Sequence, residues 1–139
     1  MKRLLVDTNV ALDVLLDREP HVEKSVAIWA AIETRLSEGF LAAHAITTIH
    51  YLMQKELGVA KAKQMIGLIL LVFRVAPVDG AVIEQASRLP IADFEDAVTA
   101  AAALKSDCEF IVTRDPKGFR GSPVRALGPE AALPILQVD

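Results

Sequence analysis

The sequence predicts an α/β protein: a three-layer α/β/α sandwich around a short parallel sheet. Two observations carry this. Short apolar runs alternate with longer stretches of helical periodicity throughout the 139 residues, the pattern of a parallel sheet covered on both faces by crossover helices. Hydrophobic residues make up 53% but aromatics only 5%, so the interior is Leu, Val, Ile and Ala, which disfavours a β-sandwich. No linker, repeat or low-complexity stretch divides the chain. Its length is that of one domain, about 100–200 residues, and residues 1–139 are read as a single domain.

Arg3–Val6 is a short apolar run, read as a strand. Thr8–Leu16 places Val10, Leu12, Val14, Leu15 and Leu16 at helical spacing. Pro20 and His21 break the pattern, and Val22–Leu36 forms a second helix, with Ser37-Glu38-Gly39 as its stop signal. Phe40–Ala43 is a second strand. Helices are expected over Thr47–Leu57, ended by Gly58, and over Ala60–Leu71. The latter is apolar on nearly every face, which indicates burial on more than one side, as a core helix or a dimer interface. Arg74–Ala76 is a short strand closed by Pro77, and Asp79 caps a helix from Gly80 to Arg88. Asp93–Lys105 is an Ala-rich helix and Glu109–Thr113 a clear strand. Arg114–Pro123 is a polar loop, Val124–Leu127 a last strand and Pro129–Leu136 a final helix.

Composition narrows the function classes. With 24% charged residues beside the apolar majority, the chain is not intrinsically disordered. The single cysteine, Cys108, excludes an internal disulfide or a cysteine zinc site and reads as a core residue. The opening apolar run is too short for a signal peptide and is cut by Asp7. The longest apolar run, Met65–Phe73, falls far short of the roughly 20 residues that span a bilayer. A soluble cytoplasmic protein without membrane contact is expected. The net charge of −3 advertises no general affinity for nucleic acid, so any such binding needs a local patch.

The acids are placed unevenly. Asp7 follows the first strand directly, and Asp115 lies two residues past Thr113, the end of the fourth. In a parallel sheet the carboxyl edge is where ligands bind. Asp93 and Asp96 open the Ala-rich helix and share a face. Carboxylates gathered at one edge repel each other unless a cation lies between them, and oxygen donors suit Mg2+ or Mn2+. Such an ion activates water and polarises phosphoryl oxygens, the chemistry of phosphodiester hydrolysis. Each acid also has a structural role open to it: Asp7 and Asp93 as helix N-caps, Asp96 as a helix-dipole partner, and Asp115 as a turn residue before Pro116.

Three segments are more specific. Leu4-Leu5-Val6-Asp7-Thr8-Asn9-Val10, then Asp93-Phe94-Glu95-Asp96-Ala97, then Thr113-Arg114-Asp115 shortly before Phe119 resemble the opening, central and closing motifs of the PIN domain family. The resemblance covers essentially the whole chain and is strongest to VapC-type toxins of prokaryotic toxin–antitoxin pairs. It implies a parallel sheet of about five strands, a Mg2+- or Mn2+-dependent endoribonuclease acting on RNA, frequent homodimers and inhibition by a small antitoxin. On that resemblance Asp7, Asp96 and Asp115 match the metal-binding and catalytic aspartates, with Asp93 as an accessory acid. Thr8 and Asn9 match residues that orient the site, and Thr113 matches a hydroxyl supporting a neighbouring carboxylate or the attacking water. One position departs. Thr48 stands where the family usually carries a glutamate early in the third helix, and it brings no charge. His50, two residues on, points to the other side of that helix and reads as a packing or surface residue.

A polyanion approaching an acidic pocket needs a basic rim. Thr113–Arg125 carries Arg114, Lys117, Arg120 and Arg125 against Asp115 alone, and Arg114, Lys117 and Arg120 are the candidate substrate contacts, with Arg18 as an addition. Two other functions compete. A PIN-like module with weakened catalysis could hold RNA or a protein partner, a reading supported by Thr48. An α/β phosphotransfer or phosphatase domain fits less well, because Asn9 stands where such phosphatases want a second acid and no Gly-rich phosphate loop is present.

Overall fold

The computed structural model describes residues 1–136, which form five strands and seven helices. In chain order these are β1 (Lys2–Val6), α1 (Thr8–Leu15), α2 (Val22–Glu33), β2 (Ser37–Ala42), α3 (Ala43–Leu57), α4 (Val59–Val72), β3 (Arg74–Ala76), α5 (Gly80–Ser87), α6 (Phe94–Lys105), β4 (Phe110–Val112), β5 (Arg125–Leu127) and α7 (Pro129–Leu136), with a short 3-10 turn at Pro116–Phe119. The sheet order is β3-β2-β1-β4-β5, and every pair is parallel. The strand path runs outward from β1 through β2 to β3, then returns to the other side of β1 as β4. The strand order therefore reverses between β1 and β4, the point where such sheets open a crevice at their carboxyl ends.

Alternation along the strands builds two cores. Leu4, Val6, Leu41 and Val112 face one side and pack against Val10, Ile28, Ile49, Met53, Ile69 and Leu136 from α1, α2, α3, α4 and α7. Leu5, Phe40, Ala42 and Ile111 face the other and pack against Val82, Ala86, Val98 and the alanines of α5 and α6. This is the expected three-layer sandwich. The small alanines explain why α6 lies close to the sheet: Ala100, Ala101, Ala102 and Ala103 are all fully buried.

Three expectations need correction. Ser37-Glu38-Gly39 is the start of β2, not a helix stop. The helix ends earlier, with Arg35 in the left-handed region at φ 67°. Gly39 is needed for packing, because a Cβ there would stand 2.6 Å from the Ile32 side chain of α2. Second, α3 starts at Ala43, four residues before its expected start at Thr47. Its N-cap, Ala42, has no capping side chain, so the sequence carries no start signal there. Third, α4 is not buried on every side. Only Ala62 and Ile69 are fully enclosed, while Leu68, Leu70 and Leu71 are exposed, the last at 80%. No described helix is long and apolar enough to cross a membrane. Cys108 is buried and unpaired, its thiol pushed up to about 12 by desolvation.

Candidate active site

The site starts from strand register. Val6 pairs with Val112, so Asp7 and Thr113 leave neighbouring strands side by side, tied by the Asp7 N–H to the Val112 carbonyl at 2.9 Å. Asp7 does cap α1: its Oδ1 accepts from the Thr8 N–H at 2.9 Å. Its other oxygen, Oδ2, accepts from the Thr113 hydroxyl at 2.8 Å. Both Asp7 and Thr113 are buried. Burial raises the Asp7 pKa, and the Thr113 and Thr8 hydrogen bonds oppose that rise. The Thr113 hydroxyl also accepts the Asp115 N–H at 3.1 Å, so one side chain sets both acids. The Asn9 amide lies 3.5 Å from both Asp7 Oδ2 and Thr113 Oγ1, at the limit of hydrogen bonding, and its carbonyl accepts the Arg114 N–H at 3.3 Å.

The second half comes from α6. Asp93 is its N-cap and accepts the Asp96 N–H at 3.0 Å. The Asp96 carboxyl is pushed up to about 6, first by desolvation and then by the charges of Asp7, Asp93, Glu95 and Asp115. Four neighbouring acids acting on one carboxyl is the electrostatic mark of convergence. Gly118, in the turn after Asp115, gives the geometric mark. A Cβ added there would stand 3.1 Å from Oδ2 of Asp96 and 3.1 Å from Oδ2 of Asp115. The absence of a side chain at Gly118 leaves both carboxylates room. An open cleft of about 490 Å³ is lined by Asp93, Asp96, Asp115, Lys117 and Arg120.

The expected residues thus separate. Asp7, Thr113, Asn9, Asp96 and Asp115 gather at the β1/β4 edge, and Lys117 and Arg120 line the cleft beside them. Arg114 turns away: its Nε is 2.8 Å from Oδ2 of Asp13, a fully buried acid of α1 that also accepts from Ser25 at 3.2 Å. Thr48 donates to the His44 carbonyl at 3.3 Å, within its own helix. His44, not among the expected residues, also lies at this edge. Its ring lies near enough to Asp7 and Glu95 for their charges to act on it, and burial lowers its pKa, which favours the neutral imidazole. A signal was available. His44 follows the end of β2 by two residues, at the same carboxyl edge that singled out Asp7 and Asp115.

A model of the PIN domain matches residues 3–117. The chain belongs to the PIN domain family. The fold of this PIN protein is similar to that in the structure of FitAcB from Neisseria gonorrhoeae, at 22% identity and a TM-score of 0.70, covering 91% of this chain and 98% of that one. It is also similar to VapBC2 from Rickettsia felis bound to a DNA fragment from its promoter, at 12% identity and a TM-score of 0.69, covering 91% and 98%. A third similar fold is that of VapC20 from Mycobacterium tuberculosis, described as a toxin cleaving the sarcin-ricin loop, at 21% identity and a TM-score of 0.62, covering 78% and 86%. Comparison with curated proteins gives no match.

Among the described residues, no three His, Cys, Asp or Glu side chains form a ready coordinating cluster. The chemistry of the donors nevertheless fits a hard divalent cation. Asp7, Asp96 and Asp115 offer carboxylate oxygens, and the raised Asp96 pKa, due first to desolvation, includes repulsion from neighbouring acids that a cation would relieve.

Proposed function

We propose that residues 1–139 form one PIN domain acting as a Mg2+- or Mn2+-dependent endoribonuclease, the cytoplasmic toxin of a type II toxin–antitoxin pair. The observation that carries this is the gathering of Asp7, Asp96 and Asp115 at the β1/β4 edge, where Thr113 bonds both Asp7 and the Asp115 backbone and Gly118 stands beside the Asp96 and Asp115 carboxylates. Membership of the PIN family and the likeness to VapBC structures support it. A small antitoxin is the proposed partner, and a homodimer the proposed assembly, through the exposed Leu68, Leu70 and Leu71 of α4.

Asp7, Asp96 and Asp115 would hold the ion, which supplies a Lewis acid that polarises a phosphoryl oxygen and activates water. The remaining work belongs to the chain. Thr113 donates to Asp7 and accepts from the Asp115 backbone, so the two acids keep a fixed separation. Asn9 ties the β1 end to the loop after β4. Lys117 and Arg120 bind the phosphates flanking the scissile bond. Arg114 is already engaged with Asp13, so its role is to anchor the loop between Thr113 and Asp115. The test is cleavage of a structured RNA pool by the purified protein with Mn2+, Mg2+ or EDTA, beside Asp7→Asn. Metal-dependent cleavage that the variant loses supports the reading. Equal cleavage by both proteins overturns it.

One observation favours a second reading, a catalytically weakened PIN-like module that binds RNA or protein. Thr48, where the family usually carries a glutamate, brings no charge and spends its hydroxyl on the His44 carbonyl. Inactivity of the wild type together with retained RNA or partner binding would favour it.

A further inference from the structure

The His44 ring is fixed from one side only. Its Nε2 lies 3.3 Å from Oγ1 of Thr99, one turn beyond Asp96 on α6. The Thr99 hydroxyl already gives its only hydrogen to the Glu95 carbonyl at 3.1 Å. With that hydrogen so placed the oxygen accepts, which favours the tautomer that carries the ring hydrogen on Nε2. In that tautomer Nδ1 is a bare lone pair. Nδ1 is buried and has no hydrogen-bond partner.

An unpartnered buried acceptor is costly and calls for an explanation. The charged neighbours that act on this ring, Asp7 and Glu95, are acceptors themselves and have no hydrogen to offer. A cation would satisfy all of them. A metal-bound histidine has the same form: one nitrogen free to ligate, the other N–H held by a second group that fixes the ring. The placement agrees, because β2 pairs with β1, so the carboxyl end of β2 that leads into His44 adjoins the end that leads into Asp7.

We propose that the His44 imidazole, anchored through Nε2 on Thr99, is the nitrogen donor of the cation site at this edge and replaces the carboxylate that Thr48 does not supply. The proposal rests on the cation-site reading given above. A nitrogen donor shifts a site away from Mg2+ and toward Mn2+ and later transition ions.

The test uses the full chain loaded with Mn2+. Pulsed EPR reads nitrogen coupling to the bound ion, and calorimetric titrations compare Mn2+ with Mg2+ in the wild type, His44→Gln, His44→Glu and Asp7→Asn. The expected result is an imidazole nitrogen signal in the wild type that is lost in His44→Gln. That variant should also bind Mn2+ at least about tenfold more weakly, since losing even a ligand's outer partner costs about 10–100-fold, with a smaller loss for Mg2+. His44→Glu, an all-oxygen site, should recover Mg2+ binding better than Mn2+, and it serves as the second variant if glutamine disturbs the fold. Mn2+ binding that weakens in Asp7→Asn but shows no nitrogen coupling, or is unchanged in His44→Gln, overturns the role of His44 and leaves the cation site standing. No Mn2+ binding, or binding unmoved by Asp7→Asn, overturns both.

Discussion

Replacing Asp96 with asparagine should make the metal-free protein more stable while removing its activity. The Asp96 carboxyl is raised from 3.8 to about 6. A carboxyl whose folded pKa lies above its unfolded value binds its proton more tightly when folded. The wild type is therefore most favoured below about pH 4 and loses stability as pH rises from about 4 to 6. Unscreened, that shift is worth at most about 3 kcal/mol. The side chain is only partly buried, so screening reduces the figure to about 1 kcal/mol. The favourable field of the α6 N-terminus on an aspartate, about 0.3–1 kcal/mol, works the other way. That the pKa is still raised means burial and repulsion outweigh it. Asp96→Asn should match the wild type near pH 4 and exceed it by about 1 kcal/mol at pH 7, roughly 3–5 °C in Tm. Calorimetric scans in EDTA at both pH values measure this. Saturating Mn2+ should reverse the order, because only the wild type binds the ion tightly. A variant less stable than the wild type at pH 7 in EDTA, or a gap independent of pH, would refute the convergence of charge on Asp96.

Other expectations follow from named contacts. Gly118→Ala places a methyl 3.1 Å from both the Asp96 and Asp115 carboxylates. It should weaken Mn2+ affinity at least tenfold in a titration while changing thermal stability by under about 1 kcal/mol. Asp13→Ala strands the Arg114 guanidinium, which is 29% exposed, and should cost about 2–4 kcal/mol in urea unfolding. Part of that loss should return when Arg114→Met is added. Lys117→Ala and Arg120→Ala should each weaken RNA binding across sequences and reduce the slope of log affinity against log salt by about one.

The acidic edge was legible in the sequence because it obeys a local rule. Asp7 and Asp115 stand just beyond short apolar strands, and in a parallel sheet strand ends converge however far apart they lie in the chain. Asp93 and Asp96 were legible from helix periodicity. His44 was overlooked because Ala42 caps α3 without a side chain, so the expected helix began at Thr47 and left His44 in a nominal connection. The Arg114–Asp13 pair joins residues a hundred positions apart, and nothing local marks a loop arginine as engaged rather than free. Gly39 looks like a helix stop in sequence, and only the 2.6 Å approach of Ile32 reveals its packing role. The apolar character of α4 was plain. Which side of it stays uncovered depends on the placement of α3, which periodicity does not encode.

The most direct measurement is the location of Mn2+ by its anomalous scattering in crystals of the wild-type protein soaked with the ion. A single strong peak within coordination distance of Asp7, Asp96 and Asp115 is predicted, and it should disappear in Asp7→Asn. A peak elsewhere in the chain, or none at saturating Mn2+, would contradict the claim that these acids form a cation site.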